Sequence, residues 1–332
     1  MQNINDQIGQ LFLIGFQGAE PSEAFLEFIG KNNIGGVILF AENCTSTQLL
    51  KNNIKKIKKA SAYFQPFIAI DQEGGRVSRI KGAPAEIAAA KAYGESLGMD
   101  RFTDEYSRST YFMESLGINL NLAPVCDLFL HEENSCLKDR CFGRTPEEVI
   151  PFITKAVEIS KKNNVLSCLK HFPGLGDSNI DPHIDTPEGF YDQILWSHRE
   201  KLVFEAGVRA GADMIMTTHL ILPEIDNKIV TGSTKIIEEL IRTQLDFDSV
   251  VISDDLTMHG ADTLGTYGER TVEAFNAGHD ILLFGQNFEA ASEAYTCFLS
   301  KCLNNEIASE KISRSLERIT SLKLKIAKSV LL

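Results

Sequence analysis

The chain has 332 residues and a formal net charge of −12 at pH 7, a length that suits one large α/β domain. Its content of 43% hydrophobic and 23% charged residues is ordinary for a globular protein. The acidic balance predicts no nucleic-acid partner and no binding to an anionic membrane surface, because phosphates would be repelled rather than neutralised.

The beginning of the chain and its cysteines indicate a reducing compartment. Residues 1–16, MQNINDQIGQLFLIGF, lack a basic region, and their apolar stretch is too short for a signal-peptide core or a membrane span. The seven cysteines are odd in number and include no Cys-x-x-Cys pair, which is typical of free, mostly buried thiols. We therefore expect a cytoplasmic protein with no structural zinc site.

Short apolar runs alternate with longer amphipathic segments along the chain. The runs cover residues 11–16, 35–40, 66–71, 118–127, 165–171, 212–219, 250–255 and 280–285. Segments between them, such as EEVIPFITKAVEISKKNN and TKIIEELIRTQL, have helical periodicity and are long enough for crossover helices. The pattern predicts an α/β fold, a single (β/α)8 TIM-type barrel spanning residues 1–332. The alternative is an open doubly wound sheet, but GFQGAEPSE lacks the glycine-rich phosphate turn expected after its first strand.

Charged and polar residues gather at the ends of the predicted strands. They are Asp71, Asp127, Lys170, His171, His219, Asp254 and Asp255. In a barrel of this type the carboxyl ends of the strands meet at one rim, where active sites form. Because random strand ends would be mostly small, neutral or turn-forming residues, this set predicts an active site.

The stretch VVISDDLTMHGA places Asp254 at the end of a buried strand. A carboxylate held there by rigid backbone can attack or stabilise the anomeric carbon during glycosyl transfer. The alternative is that one of the two aspartates caps the following helix. Both interpretations hold if Asp254 is catalytic and Asp255 is structural.

The stretch LKHFPGLGDSNIDPHIDTP, residues 169–187, forms a predicted loop rich in Gly, Pro and Asp after Lys170 and His171. Within it, Asp181 and His183 flank a proline. This spacing allows the carboxylate to hold one imidazole nitrogen while the other faces a substrate. The alternative is a surface loop with an incidental histidine.

Two further stretches supply arginines. AIDQEGGRVSRIKG places Arg76 and Arg79 after Asp71, with two glycines that let backbone approach a ligand closely. Aspartate and arginine are natural partners of sugar hydroxyls, although a structural Asp–Arg pair is equally expected for one arginine. Arg140 and Arg144, in SCLKDRCFGRTPEE, would by themselves be interpreted as solvated loop charges.

In this order, AIDQEGGRV, NLNLAPVCD, KHFPG-x-G with Asp-x-His downstream, and ISDDLTM closely resemble the glycoside hydrolase family 3 β-N-acetylglucosaminidases of bacterial peptidoglycan recycling. The resemblance extends through most of the chain. It implies a retaining enzyme that removes terminal, non-reducing β-linked N-acetylglucosamine through a covalent glycosyl-enzyme. The implied substrates are muropeptide-like fragments such as N-acetylglucosaminyl-anhydro-N-acetylmuramic acid.

The resemblance also implies roles for individual residues. Asp254 is the implied nucleophile, and Asp181 with His183 is the implied acid/base dyad. The residues implied to hold the sugar are Asp71, Arg79, Arg140, Lys170 and His171. His219 is implied to line the pocket. Larger family members have a second α/β domain that contributes a glutamate. Since too few residues follow the last predicted strand for that domain, the acid/base is expected from the barrel itself.

The sequence departs from the family pattern at Leu175, where KHFPGHG has a histidine, and at Pro182, where Asp-Ser-His has a serine. Both changes put the substrate range and the motion of the 172–187 loop in question. No cofactor is expected, and no metal, because no His-x-His or His-Glu-x-x-His spacing occurs. The sequence does not fix the oligomeric state; a monomer is slightly favoured.

Three alternatives stay open. A histidine acid/base would not repel an incoming phosphate, so the same site could serve a β-N-acetylglucosaminide phosphorylase. Lys170 at a strand end could form a Schiff base in a lyase. A non-catalytic sugar-binding protein is the third alternative, and the presence of Asp254, Asp181 and His183 argues against it.

Overall fold

The computed structural model describes residues 4–61, 65–178 and 186–329, and its strands coincide with the predicted apolar runs. The strands are β1 Phe12–Ile14, β2 Gly36–Leu39, β3 Phe67–Ile70, β4 Leu120–Asn121, β5 Leu166–Phe172, β6 Met214–Thr217, β7 Val250–Ile252 and β8 Leu282–Phe284. Every residue of β1, β2 and β3 is buried. Burial on both faces explains why these strands are continuous apolar runs rather than alternating ones.

All eight strands are parallel and belong to one sheet, in the spatial order β7-β6-β5-β4-β3-β2-β1-β8. The first strand pairs with the last, with Phe12 opposite Leu282. A parallel bridge between Ile252 and Ile281 brings β7 and β8 together. The predicted TIM-type barrel is therefore confirmed, and the open doubly wound alternative is wrong.

Helices surround the barrel. The longer ones are Glu23–Lys31, Thr47–Ala60, Gly98–Leu116, Pro146–Lys162, Glu200–Ala210, Ile236–Gln244, Tyr267–Ala277, Phe288–Leu303 and Ser309–Ser329, and the short ones are Ile4–Leu11, Ala41–Cys44, Ala90–Ala92, Tyr93–Leu97, Gln193–His198, Val230–Gly232 and His259–Leu264. Both segments given as helical in the sequence form helices. Pro146–Lys162 begins with a proline in its first turn and a Thr145–Glu148 capping box, whereas Ile236–Gln244 is a π-helix.

Two short hairpins extend from the carboxyl ends of strands. Gln72–Gly74 pairs with Val77–Ser78 directly after β3, and Ile221–Leu222 pairs with Asp226–Ile229 after β6. The first hairpin carries part of the charged cluster described below.

Most of the cysteines are buried, as predicted from the sequence. All seven cysteines are free, and five of them are buried. Of the helices in the described part of the chain, none combines the length and the apolar character needed to cross a membrane.

Candidate active site

A cavity of about 470 Å³ opens at the carboxyl ends of the barrel strands. Its titratable lining residues are Asp71, Glu73, Arg76, Arg79, Cys136, Arg140, Lys170, His171, Asp254 and Asp255. Six of them were predicted as site residues: Asp71, Arg79, Arg140, Lys170, His171 and Asp254. The barrel brings these residues together from three strand ends and two loops, although they are distant in the sequence.

Asp71 is held between two cations at the end of β3. Its Oδ1 accepts a hydrogen bond of 2.8 Å from Lys170 Nζ, and its Oδ2 lies 3.2 Å from Arg79 Nη2. Burial alone would raise the pKa of Asp71, but the charges of Lys170 and Arg79 outweigh it and hold the pKa below its usual value. The carboxylate is therefore ionised and available to accept hydrogen bonds from hydroxyl groups.

Glu73 belongs to the same cluster and was not selected from the sequence. Its Oε2 accepts from Arg140 Nε at 2.8 Å, and its Oε1 accepts from Arg140 Nη2 at 2.9 Å and lies 2.7 Å from Lys170 Nζ. Burial opposes ionisation of Glu73, yet the two cations hold its pKa far below the usual range. In extended backbone, residues two apart face the same side, so the spacing Asp71-x-Glu73 was a usable signal.

His171 is oriented by Asp127, which is fully buried. Its Nδ1 lies 2.6 Å from Asp127 Oδ2, and its Nε2 lies 3.2 Å from Arg140 Nη2. Because a guanidinium has no acceptor, the Arg140 contact needs an unprotonated Nε2. The hydrogen of His171 is then on Nδ1, donated to Asp127.

The two predicted sugar-binding arginines differ in their hydrogen bonding. Arg140 donates from Nε and Nη2 to Glu73, and from Nη2 also to His171. Its Nη1 donates to the carbonyl oxygen of Cys136 at 3.2 Å and to the Sγ of the same residue at 3.4 Å. Each of its five N–H groups thus has an acceptor in the protein. Arg79, in contrast, places its guanidinium 5.6 Å from the Phe40 ring centroid, and its buried Nε has no hydrogen-bond partner among the described residues.

Asp254 and Asp255 follow β7 and have different surroundings. Asp254 lines the cavity, and its Oδ1 accepts from the backbone N–H of Asp255 at 2.8 Å. Asp255 Oδ1 accepts from the Thr257 amide and hydroxyl, at 2.9 and 2.8 Å, and from Gly285 N–H at 3.0 Å. Burial raises the pKa of Asp255. Asp255 therefore holds the turn that presents Asp254.

His219 lies behind this turn and not on the cavity wall, in contrast to the expectation that it lines the pocket. Its side chain is fully buried, with Nε2 2.9 Å from the Asp255 carbonyl oxygen and Nδ1 2.7 Å from Thr231 Oγ1. Burial lowers the pKa of His219, which favours a neutral ring that donates from Nε2 and accepts at Nδ1. We infer that His219 supports the backbone next to Asp254.

The loop that follows β5 is anchored where it is described. Trp196 Nε1 donates to the Pro173 carbonyl oxygen at 3.2 Å, Tyr191 to that of Gly174 at 2.9 Å, and Asn134 to that of Leu175 at 3.0 Å. Leu175 is buried with Phe129, Leu137 and Cys141 and also lines the cavity. Asp181, Pro182 and His183 lie outside the described residues.

A metal centre finds no support in the described ranges. They contain no group of three or more His, Cys, Asp or Glu side chains that could hold a metal ion. Lys170, Arg140 and Arg79 occupy the places where a cation would meet Asp71 and Glu73.

Comparison with known proteins gives the family. Residues 3–322 match the glycosyl hydrolase family 3 N-terminal domain. "Beta-hexosaminidase A" of Pseudoalteromonas piscicida is 34% identical, over 91% of this chain and 55% of that protein. "Beta-hexosaminidase" of Photobacterium profundum is 31% identical, over 83% of this chain and 82% of that protein. A glycoside hydrolase family 3 beta-N-acetylglucosaminidase from Paenibacillus sp. str. FPU-7 is 28% identical with a TM-score of 0.94, over 98% of this chain and 63% of that chain.

A barrel with a charged cavity at its carboxyl rim has the architecture of an enzyme. The chain belongs to glycoside hydrolase family 3, as the sequence motifs predicted. Two of these relatives are named beta-hexosaminidases, and the Paenibacillus protein is named a beta-N-acetylglucosaminidase. The chain spans 55% of the first of these relatives and 63% of the Paenibacillus structure.

Proposed function

We propose that the protein is a retaining β-N-acetylglucosaminidase with Asp254 as its nucleophile. The observation that carries this proposal is the contrast among the carboxylates of the cavity. Asp71 and Glu73 are ion-paired, whereas Asp254 lines the cavity without an ion pair among the described residues. A carboxylate with no cationic partner, held at a strand end, suits attack on an anomeric carbon.

The sugar is held by the cluster around Asp71. Asp71 supplies acceptor oxygens, and Arg79 supplies N–H groups, including the buried Nε without a partner in the described part of the protein. Charge-assisted hydrogen bonds of this kind recognise hydroxyl and amide groups. Phe40, beneath the Arg79 guanidinium, adds apolar surface to the same wall of the cavity.

The acid/base is proposed to be His183, oriented by Asp181. The low pKa values of Asp71 and Glu73 remove both as proton donors near neutral pH. Asp255 has one oxygen committed to three donors. An imidazole titrates close to neutral pH and can both donate and accept a proton. The chain sequence offers His183 in the loop after Lys170 and His171.

The reaction then runs in two displacements. An oxygen of Asp254 attacks the anomeric carbon, the glycosidic C–O bond breaks, and the leaving oxygen takes a proton from His183. A water molecule next attacks the anomeric carbon, His183 accepts the proton of that water, and the bond to Asp254 breaks. Two inversions give net retention of configuration.

The proposed substrates are peptidoglycan fragments that carry a terminal β-linked N-acetylglucosamine, acted on in the cytoplasm. Support comes from the motif order of the sequence and from the β-hexosaminidase relatives. Higher kcat/KM on N,N′-diacetylchitobiose than on N-acetylglucosaminyl-anhydro-N-acetylmuramic acid would contradict the muropeptide assignment.

The test uses the purified protein and 4-methylumbelliferyl N-acetyl-β-glucosaminide. We expect fluorescence release by wild type, a loss of at least about 1,000-fold in kcat for Asp254→Ala, and wild-type turnover for the control Asp104→Ala. Asp104 is exposed on helix Gly98–Leu116. Wild-type-like turnover by Asp254→Ala would exclude the nucleophile.

Product analysis completes the test. The first product seen by ¹H NMR is expected to be the β-anomer, and an α-anomer would contradict a retaining mechanism. Formation of N-acetylglucosamine 1-phosphate on adding phosphate would replace the hydrolase assignment with that of a phosphorylase.

A further inference from the structure

We propose that Glu73 is a positioning residue of this active site, which fixes Arg140 and Lys170 so that the Nη1 edge of Arg140 and the third N–H of Lys170 face the sugar. The proposal rests on the function proposed above and adds a residue to it. Glu73 itself has no hydrogen to donate, and its oxygens already bind the two cations. Its contribution to turnover therefore acts through Arg140 and Lys170.

Glu73 and Arg140 form a bidentate ion pair. The contacts of 2.8 and 2.9 Å use both carboxylate oxygens and two nitrogens of the guanidinium. A bidentate pair fixes the plane and the rotation of a guanidinium, which a single contact does not. Glu73 thus determines where the Nη1 edge of Arg140 points.

The hydrogen bonds of Arg140 decide which of its N–H groups a ligand can take over. The Nε and Nη2 groups of Arg140 are committed to Glu73 and His171, at 2.8–3.2 Å. Its Nη1 contacts no charged group and no imidazole of the described residues; it lies 3.2 Å from the carbonyl oxygen of Cys136 and 3.4 Å from its Sγ, a weak acceptor. Since Cys136 lines the cavity, the Nη1 edge is the one that a sugar oxygen can take over.

Lys170 has one N–H group that no carboxylate of the cluster takes up. Its ammonium has three hydrogens and two close carboxylate acceptors, Asp71 Oδ1 at 2.8 Å and Glu73 Oε1 at 2.7 Å. Those two contacts fix the direction of the third N–H. The side chain of Lys170 is only 3% exposed yet lines the cavity, so this last donor is directed by the pair of carboxylates.

The charges of the cluster are balanced. Arg79, Arg140 and Lys170 bring three positive charges, and Asp71, Glu73 and Asp127 bring three negative ones. Loss of the Glu73 charge leaves two buried cations with one acceptor fewer, a situation that proteins relieve by moving side chains. We therefore expect both cations to shift when Glu73 is replaced.

The test compares Glu73→Gln, which keeps the shape and removes the charge, with Glu73→Asp, which keeps the charge and shortens the side chain. The matched control is Glu20→Gln, at an exposed pair with Lys56. We expect kcat/KM on the fluorogenic substrate to fall about 100-fold in Glu73→Gln, the effect of a small misplacement of binding groups. Glu73→Asp should recover part of this loss, and Glu20→Gln should match wild type.

A pH profile separates positioning from a merely structural role. Burial lowers the pKa of Lys170, but Asp71 and Glu73 raise it above its ordinary value. Removing the Glu73 charge therefore lowers the pKa of Lys170. The alkaline limb near neutral pH belongs to the proposed acid His183, so we expect the shift in a second, more alkaline fall of kcat/KM, which moves to lower pH in Glu73→Gln. A general loss of folded protein would reduce kcat/KM without moving this second fall.

A crystal structure of Glu73→Gln tests the positioning role of Glu73 independently of enzyme activity. Displacement of the Arg140 guanidinium and Lys170 Nζ supports the proposal, and unmoved cations overturn it, even if wild type fails to hydrolyse N-acetylglucosaminides. Kinetics of Glu73→Gln within about twofold of wild type, with an unshifted second alkaline fall of kcat/KM, also overturn it. Inactive wild type would count against the proposed function and leave the crystal structure as the test of Glu73.

Discussion

The burial of Lys323 at the base of the barrel predicts that the free energy of unfolding depends on pH. It lies in helix Ser309–Ser329 and is 4% exposed, with Nζ 2.7 Å from both Gln10 Oε1 and the Gly35 carbonyl oxygen. Its Nζ is also 4.9 Å from the Phe67 ring centroid. Within the described part of the chain no carboxylate pairs with it, and burial lowers its pKa from 10.5 to about 7.

The direction in which the unfolding free energy changes with pH follows from the proton that Lys323 binds in the unfolded and folded states. Between pH 7 and 10.5 the unfolded chain keeps Lys323 protonated while the folded protein leaves it neutral, so the free energy of unfolding rises with pH over this range. At pH 7 and below, the folded protein carries the full cost of a buried ammonium. The shift corresponds to about 5 kcal/mol as an upper limit.

We expect a smaller effect, about 2–3 kcal/mol between pH 7 and pH 9.5, because the two carbonyl acceptors and the Phe67 ring stabilise the ammonium. The perturbation is Lys323→Met, which keeps an unbranched side chain one atom shorter and removes the titration. Urea unfolding followed by circular dichroism at pH 7 and pH 9.5 gives the difference in unfolding free energy between wild type and variant. Other titrating groups are common to both proteins and cancel.

The expected result is a Met variant whose advantage over wild type at pH 7 shrinks by about 2–3 kcal/mol at pH 9.5. The control is Lys325→Met on the same helix, where Lys325 is exposed and paired with Asp213, and no such pH dependence is expected. A difference between wild type and Lys323→Met that is equal at both pH values would refute the reasoning.

Two further predictions concern the active site. His183→Ala should lose more activity on substrates with poor leaving groups than on activated aryl glycosides, because only poor leaving groups need a proton. Equal losses of activity across a leaving-group series would count against the acid role of His183. Asp127→Asn removes the carboxylate that accepts from His171 Nδ1, so we expect kcat/KM to fall by up to about 100-fold with the fold retained. Unchanged kcat/KM in the fluorescence assay would show that the orientation of His171 does not depend on that carboxylate.

The barrel was predictable from the sequence because its strands are buried on both faces. Each of the eight apolar runs carries a strand, and the helical segments between them imply parallel pairing. Details of backbone geometry were not predictable. The run 118–127 pairs as a regular strand only at Leu120–Asn121, since Pro124 has no N–H for the ladder. Apolar spacing also does not separate an α-helix from the π-helix Ile236–Gln244.

The site was predicted in part. Strand-end positions identified Asp71, Lys170 and Asp254, which all line the cavity. The position of a residue at a strand end does not give the direction of its side chain, and His219 faces Thr231 and the Asp255 backbone instead of the cavity. Glu73 was missed because it follows its strand by three residues, within a hairpin that the sequence pattern did not reveal.

The pairing of the first strand with the last determines when activity can arise during synthesis. Asp71 and Lys170 are 99 residues apart, and the amide of Gly285, just after β8, donates to the Asp255 carboxylate beside Asp254. A nascent chain that ends before residue 282 lacks both β8 and this contact, so it cannot present Asp254 as the finished barrel does. Contacts over such separations form late, because loop closure precedes any stabilisation. The return of activity during refolding therefore reports closure of the barrel rather than formation of its helices.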